Sequence, residues 1–304
     1  MLDFGQHGGV FKSNLVLTGA SGESVTLHLD ESGTSLLRSR LGRSFFKTTS
    51  KENLLEKVRD ASTGGALEKI AEKYYLCDIA SLDGVNLYGA KKIFEVVIDV
   101  LYKYPMLRSQ LTYIGSYEGY ESAIDALCRG EGEVLEKFGL KYLLSTEDAM
   151  ALGRLTKADL SGMGMAEGTV AMAFNVFGLF DAIIIDDLSF RDYGYIKTAN
   201  DVRYSERSGF HPKGCTDVAS VIYHEVGHML DYTCAVSSSA EFSSYYNSIS
   251  EAETRRGLSE YALTSPQEFF AEAMAECFSS ENPRKISLEC LKILDKLYSK
   301  RSKI

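Results

Sequence analysis

The chain has 304 residues, 45% of them hydrophobic, and a formal net charge of −9. That is enough apolar material for one large domain or two modest ones, and the charge and the lack of a basic stripe with interleaved aromatics argue against nucleic-acid binding. No apolar run approaches the ~18 residues of a membrane-spanning helix, and six cysteines without C-x-x-C pairing read as reduced thiols rather than a zinc ribbon or a disulfide scaffold.

Met1 to Gly9 has an acidic residue and three glycines where a secretory signal would have a basic start and an apolar core. The expectation is a cytoplasmic chain, or one released by a route that needs no signal peptide. Residues 1–60 read as a strand-rich extension and linker: Val10 to Leu17 and Ser24 to Leu29 resemble short strands around a turn-rich spacer, and Gly33 to Thr49 is polar and basic, with Arg38, Arg40 and Arg43. This segment is either an attachment module or an arm packed on the rest. Residues 61–304 then form the main domain.

From Lys51 the pattern is helical, with a break at Gly64-Gly65. Ala90 to Tyr104 places Ile93, Val97, Val100, Leu101 and Tyr104 on one face and is ended by Pro105. Gln110 to Gly115 reads as a strand, Tyr120 to Arg129 and Asp148 to Leu155 as helices, and Gly162 to Met165 as a flexible spacer. Thr169 to Phe174 and Asp181 to Asp187 make a hairpin through Asn175 to Phe180, its second strand being the sheet edge over a cleft. Phe190 to Cys215 lacks periodicity and reads as a long irregular segment that is functional or mobile. His211 within it lacks ligand spacing and reads as an ordinary loop histidine near the site entrance. The C-terminal helix, Ser287 to Lys300, turns Leu291, Leu294 and Leu297 inward, and its basic residues, with Arg284, read as a solvated face.

The strongest chemical signal is His224-Glu225-Val226-Gly227-His228, inside a helix predicted from about Asp217 to Tyr232. One helical turn separates the two imidazoles, so both reach one metal ion, while Glu225 is offset enough to touch a water rather than ligate. Two histidines, a further ligand, an open position and a carboxylate base are what a hydrolytic zinc site requires. Downstream, Ser265 reads as an N-cap and Pro266 as the first residue of a helix that carries Glu268 and Glu272 on one face. That helix also carries Phe269, Phe270, Met274 and Phe278, and acidic side chains on a buried helix need a partner such as a metal.

H-E-x-G-H followed by Y-x-x-x-x-x-x-E-F-F-A-E-A resembles the catalytic domain of anthrax lethal factor and its relatives, a branch of the Glu-ligand zincins. The match covers the helix of His224 and His228 and the segment Tyr261 to Ala273; elsewhere it extends only to element order. The resemblance implies an α+β, zincin-like fold, with a small mixed sheet and an active-site helix between an upper α/β lobe and a mainly helical lower lobe. It implies one zinc per chain held by His224, His228 and Glu268, with Glu225 as general base, Tyr261 stabilising the oxyanion and Glu272 supporting the ligands. Two plainer readings stay open: Tyr261 as a half-buried aromatic, and Glu272 as a surface carboxylate paired with a base.

The expected activity is zinc-dependent endopeptidase hydrolysis of a protein or peptide substrate held extended along a sheet edge. The alternative is a phage-associated structural or assembly protein, virion-bound, that keeps the fold and cleaves little or nothing, since domains of this kind also occur in phage-encoded proteins. A purely structural zinc site would leave Glu225 without a role.

Overall fold

Two antiparallel strands, β1 (Ser13–Thr18) and β2 (Ser24–Leu29), pair from Ser13 opposite Leu29 to Thr18 opposite Ser24. They open the computed structural model, which describes residues 13–20, 22–163, 169–176 and 179–302. The expectations for residues 1–12, 164–165 and 177–178 lie outside the described residues.

Helix α1 (Glu31–Leu41) stands where the composition predicts a polar linker. The reason is Arg40: its guanidinium is buried, donates to the carbonyls of Phe138 and Leu179, and meets the Asp78 carboxylate. Arg43 and Arg108 hold the same carboxylate at 2.7 and 2.5 Å. A basic run that reads as a linker is therefore partly an internal anchor.

Helices α2 (Lys51–Asp60) and α3 (Gly64–Lys73) follow, capped by the side chains of Ser50 and Thr63. The break between the two helices falls at residues 61–63, and Gly64-Gly65 begins α3. Next come β3 (Ile79–Ser81), α4 (Leu87–Lys103), a 3-10 turn (Pro105–Gln110), β4 (Tyr113–Ser116), α5 (Tyr117–Cys128), α6 (Gly132–Lys137) and α7 (Thr146–Met163). Gly162 and Met163 thus end a helix rather than belonging to a spacer. The chain continues through β5 (Ala171–Phe174), β6 (Ala182–Ile185), α8 (Asp187–Phe190) and α9 (Asp192–Ser208). It closes with α10 (Val218–Cys234), α11 (Ala240–Asn247), α12 (Glu251–Gly257), a 3-10 turn (Tyr261–Leu263), α13 (Pro266–Ser279) and α14 (Lys285–Arg301).

The chain is mixed α and β, mostly helical, around a sheet of order β3-β4-β6-β5, parallel except for the antiparallel pair β5-β6. Strand β6 reads Ala-Ile-Ile-Ile because both its faces are covered. Ile183 and Ile185, with Ala171 and Ala173 of β5, face a core built with α4, α10, α13 and α14. Ala182, Ile184 and Phe174 face the opposite layer, where α5 and α7 pack and where Leu17, Leu27 and Leu29 of the hairpin insert.

The sheet edge is β5, not β6, because β6 is paired on both sides, with β4 and with β5; hairpin order alone does not say which strand a third one joins. Residues 192–208, expected to be irregular, form α9, whose faces bury only Thr198 and Val202 and leave Tyr193, Ile196 and Tyr204 exposed. A helix so little buried carries no hydrophobic period. In α14, Leu294 is buried with Leu291 and Leu297 against the core, as the period predicts, but Arg284 ahead of it turns inward to Glu276 at 2.7 Å. No helix among the described residues is long and apolar enough to cross a membrane.

Candidate metal centre

Asp217 caps α10 by accepting from the Ala219 N–H, and Ile222, Val226, Met229 and Leu230 bury one side of that helix. His224 and His228 then lie on the side facing α13, with their Nε2 atoms 3.1 Å apart. The Ser265 hydroxyl accepts the Glu268 N–H at 3.1 Å, with Pro266 at the first helical position, as the sequence predicts. This start sets Glu268 opposite the imidazoles. Its Oε2 is 3.0 Å from His224 Nε2 and 3.4 Å from His228 Nε2.

The glycine between the histidines explains how α13 comes so near. A Cβ on Gly227 would stand 2.9 Å from the Ala271 Cα, so only glycine at 227 lets the two helices cross at this distance.

Among the described residues, His224, His228 and Glu268 form the one group able to hold a metal ion. Ligands ~2.0–2.1 Å from a tetrahedral zinc are roughly 3.3–3.4 Å apart; the three edges here are 3.1, 3.0 and 3.4 Å. Glu268 Oε2 is also shielded from solvent without an aligned hydrogen bond, an oxygen left for a cation to satisfy. The electrostatics agree. Burial pushes the Glu268 carboxyl up, but His224 and His228 more than reverse this and hold it well below the usual carboxylate range. Burial likewise disfavours a charged His224, yet Glu268 and Glu272 raise its pKa well above the ordinary histidine value. The cluster has a place for positive charge, the kind of charge a divalent cation carries.

Glu272, one turn beyond Glu268, is only 1% exposed, which excludes the surface reading. Its Oε1 lies 2.9 Å from His224 Nδ1, and its Oε2 accepts the Ser259 hydroxyl at 2.7 Å. With the Nδ1 proton directed at a carboxylate, His224 keeps its Nε2 lone pair for the metal. His211, expected to be an ordinary loop histidine, places its Nδ1 3.1 and 3.2 Å from the two Glu272 oxygens. A separation of 61 residues carries no spacing signal that could have found it.

Glu225 is outside the ligand group, as its helical offset predicts. Buried on the sheet side, its Oε2 accepts the Ala173 N–H of β5 at 2.6 Å. The Val170 carbonyl accepts from the Asp186 N–H at 2.9 Å, so by antiparallel alternation Met172 and Phe174 bond to β6 while Ala171 and Ala173 direct their peptide groups to the open edge.

Tyr261 is half-buried, its ring 5.9 Å from the His224 ring. Burial, then the carboxylates of Glu268 and Glu225, push its phenol up to about 12, which keeps the hydroxyl a proton-bearing donor. Tyr232, which the sequence reading did not single out, lies parallel to His228 at 6.5 Å; its position one turn past His228 was the available signal. The six cysteines are free, and none belongs to this ligand group.

Compared with known family models, curated proteins and solved structures, the chain has no significant match in any of the three.

Proposed function

We propose that the protein is a zinc-dependent endopeptidase with a zincin-like fold, similar to the catalytic domain of anthrax lethal factor. The observation that carries this reading is the trio of ligand atoms of His224, His228 and Glu268, spaced 3.0–3.4 Å apart, with Glu225 adjoining but unligated.

Zinc, when bound, supplies Lewis acidity towards water and the scissile carbonyl. Glu225 takes the proton of the attacking water and returns it to the leaving amine, for which its carboxylate stands between the ligand pair and the sheet edge. The Ala173 N–H fixes one oxygen of that carboxylate. Tyr261 donates to the developing oxyanion, and a donor of this kind contributes about 2.7–4 kcal/mol to the transition state. Glu272 holds the His224 ring in the ligating tautomer.

A peptide substrate fits the open edge of β5. Ala171 presents both peptide groups and Ala173 its carbonyl, the set that an added extended strand uses. The test is metal content by mass spectrometry combined with a broad peptide-library digest, on the parent and on Glu225→Gln. The expected outcome is one zinc per chain in both, with cleavage only in the parent. Zinc in both with no cleavage by either would turn the reading to the structural or assembly role.

A further inference from the structure

The segment between α9 and α10 does more than connect them. Gly209 caps α9 at φ +79°, a left-handed conformation that favours glycine, and turns the chain towards the 3-10 turn of Tyr261. The Gly209 carbonyl accepts the Glu260 N–H at 2.9 Å, and the Phe210 carbonyl accepts the Tyr261 N–H at 3.0 Å. The Phe210 ring lies 5.4 Å from the Tyr261 ring, and the His211 ring lies 5.5 Å from it. Three consecutive residues thus join the turn that carries Tyr261, and the last of them continues inward to Glu272.

Glu272 is the point on which this connection acts. Its buried carboxylate has three donors, and they divide unequally: His224 on Oε1, Ser259 on Oε2, and His211 across both oxygens. Ser259 alone leaves the carboxylate free to tilt about the bond to its hydroxyl. A donor spanning both oxygens fixes the carboxylate plane, and with it the direction in which Oε1 faces the His224 Nδ1. Among the described residues, Glu272 is the hydrogen-bond partner of the His224 Nδ1.

We infer that His211 is a positioning residue of the metal centre, setting through Glu272 the orientation of the metal ligand His224. It contacts neither the ligand atoms nor the open β5 edge, and its side chain is 32% exposed, on the outer side of Glu272. The inference rests on the zinc-site reading of His224, His228 and Glu268, but not on proteolysis. Partners that orient metal-ligating histidines through hydrogen bonds typically contribute 10–100-fold to metal affinity.

The experiment measures zinc affinity by competition with a chromogenic chelator, for the parent, His211→Ala and His211→Asn, together with the melting temperature of each metal-free protein. Asparagine places an amide N–H close to where Nδ1 stands. The expected result is a roughly 10-fold or greater loss of zinc affinity in His211→Ala and recovery to within about threefold of the parent in His211→Asn, at similar melting temperatures. Cobalt-loaded His211→Ala should also show a shifted visible spectrum, a change in ligand geometry that a merely structural role would not produce. Parent-like affinity and spectrum in His211→Ala overturn the inference while leaving the zinc site standing. So does an affinity in His211→Asn as weak as in the alanine variant. A parent without zinc affinity overturns both, and a parent that binds zinc but cleaves nothing leaves this inference intact.

Discussion

The backbone N–H of Ala173 donates to Glu225 Oε2 across 2.6 Å, joining the edge strand of the sheet to the carboxylate that lies in sequence between His224 and His228. The contact depends on small side chains: Ala171 and Ala173 both face α10, and larger residues there would hold the helix away from the strand. Because this N–H belongs to the open edge, removing it leaves the β5-β6 ladder intact. Proline is tolerated on edge strands where the N–H faces solvent, but here its ring takes the place of an N–H bonded to a buried carboxylate. Ala173→Pro should keep zinc content near that of the parent, lower the melting temperature by displacing the Glu225 oxygen, and lower turnover at least roughly 10- to 100-fold, the equivalent of one hydrogen bond to a charged group at about 1.5–3 kcal/mol. Ala173→Gly, which keeps the N–H, serves as the control, and equal rates for the two variants would show that the contact is idle.

Tyr261 stands beside His224 with its phenol protonated at neutral pH. If the hydroxyl donates to the oxyanion, Tyr261→Phe removes one transition-state hydrogen bond and keeps the ring. Turnover should drop roughly 100- to 1,000-fold with zinc content and stability unchanged. Single-turnover rates and a thermal melt on this variant decide the matter, and a rate within about threefold of the parent assigns Tyr261 to packing alone.

Glu268 and Glu272 occupy successive turns of α13 but have different surroundings. Glu268→Ala should abolish zinc occupancy, since it removes one of three ligands. Glu272→Ala should instead weaken binding about 10–100-fold while leaving the ligand set complete. Zinc titration of both variants checks the order, and the reverse order would place the ligand one turn further along the helix.

Gly227 is required by the approach of α13 and not by any local turn. Gly227→Ala gains helix propensity of roughly 1 kcal/mol but forces Ala271 away, an overpacking cost of about 1–3 kcal/mol. The net expectation is reduced stability in urea together with weaker zinc binding, because the shift of α13 carries Glu268 with it. A variant more stable than the parent with unchanged zinc affinity would contradict the close crossing.

Asp78 provides a pH-dependent test remote from the metal. Burial raises its pKa, but Arg108, Arg43 and Arg40 outweigh burial and hold its carboxyl below the ordinary value. A depressed native pKa means that the stabilisation is complete above the unfolded value of about 3.9 and is lost as pH falls through the lowered native value. At neutral pH, Asp78→Asn should lose about 3–5 kcal/mol because it leaves buried arginines without their partner. Urea unfolding of both proteins should show this gap at pH 7 and a shrinking gap below about pH 4.

Local chemistry decided what the sequence alone could determine here. The period of α4, the Ser265 cap, the Pro266 helix start and the one-turn spacing of His224 and His228 each depend on residues within a few positions of one another, so each was legible before any fold was known. The offset of Glu225 from the ligand face follows from the same helical geometry. The carboxylates of Glu268 and Glu272 were legible as site residues because charged residues on an apolar helix require an explanation.

Only the tertiary structure decided which surfaces meet. The edge role passed from β6 to β5 because β4 pairs with β6, a long-range choice that the hairpin sequence does not contain. Helix α9 was hidden because so few of its residues are buried. Arg40 read as linker because its partners, Asp78 and the carbonyls of Phe138 and Leu179, are distant in the chain. The same holds for His211 with Glu272 and for Gly227 against Ala271: hydrogen bonding and close packing act through space, whereas sequence periodicity reports only what neighbouring residues along one element share.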